Sequence, residues 1–187
     1  MAMARQSAND LGISVSVERH FANELSAISR KLQKSLGFAE FAAAKFPAEK
    51  FTVTAKVNLT ARFAGEKFGV VVMGLDYSYL AVTNKGGKLF ISQATAKDAD
   101  KSSIEIESEA IELKNGNFYL RVKVDAGAMC QFSFSPDGRN FQNVGSVFNA
   151  REGKWIGAKV GLFFNRPARF NDAGTADIDW FRFEPNN

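Results

Sequence analysis

From residue 51 onward the chain alternates. Phe51, Val53, Ala55, Val57 and Leu59 are apolar and Thr52, Thr54, Lys56 and Asn58 polar, the period of a half-buried strand. Phe118-Tyr-Leu-Arg-Val-Lys-Val124 repeats that pattern. Phe68-Gly-Val-Val-Val-Met73 is instead a continuous apolar run, which predicts a strand buried on both faces. Tyr77 to Thr83, the turn Asn84-Lys-Gly-Gly87 and Leu89 to Gln93 read as a hairpin, and Ala94 to Ser103 as a polar loop. Ile104 to Glu107 and Ala110 to Leu113 predict short edge strands. Further strands are expected at Ala128 to Ser135, Phe141 to Val147, Trp155 to Phe164 and Ala176 to Phe183. Ser135-Pro-Asp-Gly138 is a turn in which Pro presets φ and Gly accepts a positive one. About ten short strands with no helical period between them predict an all-β, two-sheet antiparallel jelly-roll sandwich over 45–187.

Residues 1–44 read differently. Val17, Phe21, Leu25, Ile28, Leu32 and Leu36 recur at steps of three and four, the stripe of an amphipathic helix over 17–36. Ser16 can cap its start and Gly37 its end. Ile13, Val15 and Val17 alternate and could form a short strand instead, whereas Ala42-Ala43-Ala44 has no strand propensity. A stripe of six large apolar side chains must be buried, either against the sandwich or in a homodimer through residues 17–36.

Composition narrows the chemistry. With 45% hydrophobic and 24% charged residues in 187, the chain is one globular domain rather than a disordered one. No apolar stretch is long enough to span a bilayer, so no membrane partner is expected. Met1-Ala2-Met3-Ala4-Arg5 has no apolar run behind it, so the chain as written reads as cytoplasmic without a secretory signal. A single cysteine, Cys130, excludes an internal disulfide, and with a single histidine, His20, no Cys/His zinc cluster can be built. The net charge of +4 is spread without a basic stripe, which argues against a nucleic-acid partner. Eighteen Phe stand against two Trp and three Tyr, a balance that favours core over sugar-stacking faces.

What remains is carboxylate chemistry, or binding without chemistry. Tyr77 and Tyr79 share a strand face; if Ser78, Leu80 and Val82 face the core, both phenols face outward, into a groove or a partner domain. With Trp155 they are the candidates for stacking on a sugar ring, the alternative being core or interdomain packing. Asp177 and Asp179 also share a face. They could act as a glycosidase pair, hold a structural calcium with help from backbone carbonyls, or accept hydrogen bonds from a loop. The residues after them, Trp180, Phe181 and Phe183, read as core. Cys130 reads as a buried inert thiol and His20 as a solvent-edge residue. Asp76, Asp98, Asp100, Glu105, Glu107 and Glu109 read as a diffuse, solvated acidic region.

The stretches Lys45-Phe-Pro47, Phe51-Thr-Val-Thr54, Phe68-Gly-Val-Val-Val-Met-Gly-Leu-Asp-Tyr-Ser-Tyr-Leu80 and Phe118-Tyr-Leu-Arg-Val122 occur in that order. Phe132-Ser-Phe-Ser-Pro-Asp-Gly138, Ala150-Arg-Glu-Gly-Lys-Trp-Ile-Gly-Ala-Lys-Val-Gly-Leu162 and Ala176-Asp-Ile-Asp-Trp-Phe-Arg-Phe-Glu-Pro185 follow. Together they make residues 45–185 resemble the C-terminal concanavalin A-like β-sandwich of family 43 glycoside hydrolases, the β-xylosidase and α-arabinofuranosidase group. The resemblance implies an accessory module that packs on a catalytic propeller and helps shape its site, in proteins that degrade xylan- or arabinan-type hemicellulose. The propeller carries the family's acidic catalytic residues and has no counterpart in this sequence, so the resemblance transfers no catalytic residue. A rival expectation is a free-standing carbohydrate-binding module contacting hemicellulose-derived chains through Tyr77, Tyr79 and Trp155. Residues 1–44 depart from the family's pattern.

Overall fold

The computed structural model describes residues 38–99, 104–153, 157–166 and 174–186. The helix expected over 17–36, the homodimer contact assigned to it, His20 and Trp155 lie outside the described residues. The strands are β1 (Phe38–Lys45), β2 (Phe51–Thr60), β3 (Lys67–Met73), β4 (Tyr77–Lys85), β5 (Lys88–Ala96), β6 (Ile106–Glu107) and β7 (Ile111–Leu113). β8 (Asn117–Asp125), β9 (Met129–Ser135), β10 (Gln142–Asn143), β11 (Phe148–Asn149), β12 (Lys159–Arg166) and β13 (Thr175–Pro185) follow. No α-helix occurs among the described residues. All strand pairings among them are antiparallel, in two sheets. One has the order β1-β12-β3-β4-β5-β6, with β7 also pairing β5. The other has the order β10-β9-β8-β2-β13, with β11 pairing β9.

The expected two-sheet sandwich follows from the alternation. Phe51, Val53, Ala55 and Val57 of β2 and Phe118, Leu120, Val122 and Val124 of β8 meet Phe68, Val70, Val72, Leu80, Val82, Val160 and Leu162 of the facing sheet in one core. β3 is buried on both faces, as its unbroken apolar run predicts, because Val71 joins Tyr77, Tyr79, Ala81, Ala94, Ala96 and Phe163 in a second cluster on the outer side of its sheet.

Four local features differ from the sequence reading. β1 starts before Lys45, and Ala42, Ala43 and Ala44 pair with Leu162, Gly161 and Val160 of β12. Pairing to a strand already fixed by its own burial outweighs alanine's weak propensity. β5 continues to Ala96, where Ala94 and Ala96 lie opposite Tyr79 and Tyr77 and leave room for the rings. The strand expected over Phe141–Val147 is reduced to β10, because Gly145 (φ 67°) turns the chain onto Gln93. Gln93 accepts the Ser146 N–H at 2.7 Å and donates to its carbonyl at 3.0 Å. Finally, β13 is bulged at Asp179, so Ile178 faces Val57 but Trp180 faces Lys56. The extra residue shifts the phase. Phe181 therefore packs against the core, while Trp180, expected there, stands on the outer face.

Candidate interdomain edge

Tyr77 and Tyr79 lie on the side of β4 opposite Leu80 and Val82, as the alternation predicts. They are nonetheless covered, at 5% and 1% exposure, and neither presents a ring face to a sugar. The rings stack at 6.2 Å, and Tyr79 meets Phe163 edge-on at 5.2 Å. Both hydroxyls donate to one carboxylate: Tyr77 Oη to Glu105 Oε1 at 2.5 Å and Tyr79 Oη to Oε2 at 2.9 Å. Lys67 Nζ donates to Tyr79 Oη at 2.9 Å and stands over its ring. Burial, then the adjacent Glu105 charge, raises the Tyr79 phenol well above the ordinary tyrosine range, so it is a permanent donor.

The segment that supplies Glu105 is the site's unusual element. Glu107, two residues on, accepts Ser92 Oγ at 2.5 Å and faces Lys85 at 3.8 Å. Glu105 thus turns onto the sheet, while Glu107 bonds to Ser92 with 45% of its side chain still exposed. Ile104 and Ile106, on the alternate positions, are 88% and 77% exposed. An edge strand in water is expected to do the reverse. Val147, 49% exposed, follows Ser146 on the loop held by Gln93; beside this strand Ser108 Oγ accepts the Gln93 N–H at 3.0 Å and the Ser108 N–H donates to the Gln93 carbonyl at 2.8 Å. Ile104 and Ile106 are thus the exposed aliphatics of this edge segment.

A second polar cluster organises the neighbouring loops. Asp76, 5% exposed, accepts Arg151 Nε at 2.5 Å, a second bond from Arg151 Nη2, and the Asp98 N–H at 2.7 Å. Arg151 Nη2 also donates to Asp98 Oδ1 at 2.8 Å. The Arg151 guanidinium holds the Asp76 carboxyl below the usual carboxylate range, and the two carboxylates hold Arg151 charged. Gly74 leaves room for the Arg151 carbonyl, which any Cβ there would strike. The β3–β4 turn, the end of β5 and the segment leading to Trp155 are thereby clamped together. The acidic region was expected to be solvated. Asp98, Glu107 and Glu109 are exposed as expected, whereas Asp76 and Glu105 are structural acceptors bound by a guanidinium and hydroxyls distant in sequence.

Asp177 and Asp179 are both exposed on the outer face of the six-stranded sheet. Asp179 pairs with Lys56 Nζ at 2.5 Å, and Asp177 lies opposite Asn58. No group of three or more His, Cys, Asp or Glu side chains among the described residues is placed to hold a metal. Cys130 is fully buried, and burial raises its thiol to about 12, so it is an inert core residue as expected.

Comparison with known proteins gives a consistent assignment. Residues 29–184 match the family described as the β-xylosidase C-terminal concanavalin A-like domain. A β-xylosidase of Formosa agariphila is 35% identical over 74 residues, which are 39% of this chain and 12% of that protein. A bifunctional GH43-CE protein of Bacteroides eggerthii superposes with a TM-score of 0.70 at 19% identity, covering 79% of this chain and 19% of that one. The GH43 BlXynB protein of Bacillus licheniformis gives 0.66 at 18% identity, covering 79% and 30%. These structures share the fold, and the chain spans less than a third of each of the three relatives. On the family match, this chain belongs to the β-xylosidase C-terminal concanavalin A-like domain family.

Proposed function

We propose that this chain is the non-catalytic accessory sandwich of a family 43-type glycoside hydrolase acting on xylan- or arabinan-type hemicellulose. In this reading it packs on a propeller catalytic unit and helps shape that unit's substrate site. The observation that carries the reading is the family match combined with the small share of each relative that the chain covers, 12% of the Formosa agariphila β-xylosidase and 30% of the Bacillus licheniformis protein. The inverted edge supports it. Ile104 and Ile106 are exposed while Glu105 between them turns onto the sheet, an arrangement that gains stability when an apolar surface covers the isoleucines.

The test is a domain exchange. The sandwich of the Formosa agariphila β-xylosidase is removed, and this chain is joined in its place. The exchange should restore soluble enzyme and aryl-xyloside turnover relative to the truncated protein. The same exchange carrying Ile104→Asp and Ile106→Asp should fail to do so. Full restoration by the doubly substituted chain would remove the edge from the interface. No restoration by a folded wild-type chain would count against the accessory role.

A further inference from the structure

The outer face of the six-stranded sheet holds chemistry that docking through Ile104 and Ile106 does not use. A cavity of about 290 Å³ opens there, lined by Lys56, Asn58, Asn117, Tyr119, Asp137 and Asp179 among others. Its floor is one end of the adjacent strands β2 and β8. Asn58 and Asn117 lie directly opposite each other on β2 and β8, and Lys56 lies opposite Tyr119 in the next outward-facing row. The bulge brings Asp179 beside Lys56 and turns Trp180 to this side, 6.0 Å from the Tyr119 ring and tilted by 56°. Arg182 stacks on Trp180 at 4.5 Å.

The walls are held in place before any ligand arrives. Asp137 accepts Ser135 Oγ at 2.7 Å, the Arg139 and Asn140 N–H groups at 2.8 and 2.9 Å, and Asn140 Nδ2 at 2.8 Å. Gly138, at φ 74°, lies so close to Tyr119 that a Cβ would sit 2.7 Å from the ring, which fixes the phenol against the turn.

The charges in this cavity are already matched. Lys56 has Asp179, and the Asp137 carboxylate is committed to its own turn. Neither an anion nor a cation is needed to balance them. The Asn58 and Asn117 side chains and the Tyr119 hydroxyl make no hydrogen bond with the described residues and retain their hydrogen-bonding capacity. Two adjacent amides both donate and accept, matching vicinal hydroxyls, and an aromatic wall accepts the C–H face of a sugar ring. We propose that this cavity is a subsite for a neutral saccharide, with the ring against Tyr119 and adjacent hydroxyls on Asn58 and Asn117. Tyr77 and Tyr79 belong to the other sheet, and the proposal stands whether or not the chain docks on a catalytic unit.

The full chain is titrated with xylotetraose, arabinotetraose and cellotetraose, by calorimetry and by following the Asn58 and Asn117 side-chain amide resonances. At least one of these probes should bind saturably in the millimolar range or tighter and shift both amide signals. Asn58→Ala with Asn117→Ala should weaken binding by about tenfold or more with an unchanged melting curve. Three results overturn the proposal: no saturable binding of any probe at tens of millimolar, binding that leaves both amide signals unmoved, or binding indifferent to the paired asparagine change.

Discussion

Glu105 holds the edge segment to the sheet, and its removal should be costly out of proportion to its partial exposure. Its two oxygens accept from Tyr77 and Tyr79 at 2.5 and 2.9 Å. A hydrogen bond to a charged group contributes about 1.5–3 kcal/mol, so two such bonds set an upper range of about 3–6 kcal/mol. Glu105→Ala leaves two hydroxyl protons beneath the segment without this acceptor, although Tyr79 keeps Lys67 Nζ at 2.9 Å. The segment lies at a sheet edge and can yield enough to admit water, which lowers the expected loss to about 2–4 kcal/mol. In a chain of this size that is a fall in melting temperature of about 5–10 °C. Glu105→Gln keeps one acceptor and should lose about 1–2 kcal/mol. The control is Ile104→Asp with Ile106→Asp, at positions 88% and 77% exposed, which should change stability by less than about 0.5 kcal/mol. Urea unfolding followed by circular dichroism measures all three. An alanine variant within about 0.5 kcal/mol of wild type, or a glutamine variant as damaged as the alanine one, would refute this account of the edge.

Further outcomes follow from two buried carboxylates. Glu66, 1% exposed, accepts the N–H groups of Arg62, Phe63 and Gly174 at 2.6, 3.1 and 2.8 Å, so Glu66→Ala should destabilise the chain by about 3–5 kcal/mol in the same urea assay. Gly174→Ala should also be harmful, because its Cβ would sit 2.7 Å from Glu66 Oε2. The Asp76 carboxyl is held below its ordinary value by Arg151, so its contribution is full above the unfolded value of about 3.9 and is lost as pH falls through the lower folded value. Melting temperature should therefore drop below about pH 4 in the wild type, and Asp76→Asn should be less stable at neutral pH but flatter across that acid range. An unchanged acid slope in the variant would show that the Asp76–Arg151 pair is not the linked group.

The parts of the fold legible in the sequence were those in which burial and period coincide. The alternation of β2 and β8 specifies which side chains enter the core, and the unbroken run of β3 specifies burial on both faces. β1 was not legible, because its Ala42-Ala43-Ala44 segment is ordered by pairing with β12 rather than by propensity. Trp180 was misread although the signal was present. Ala176 and Ile178 keep one phase while Phe181 and Phe183 keep the other, and a single inserted residue reconciles them. The inward Glu105 left no such trace. A carboxylate among charges reads as solvated until the distant tyrosine hydroxyls that bind it are known.

The proposed role is to assist catalysis without performing it. Aryl-xyloside and aryl-arabinofuranoside turnover by the purified chain alone tests it, and no turnover above a heat-denatured control is expected. Turnover that copurifies with the chain and is abolished by Asp177→Asn or Asp179→Asn would contradict it.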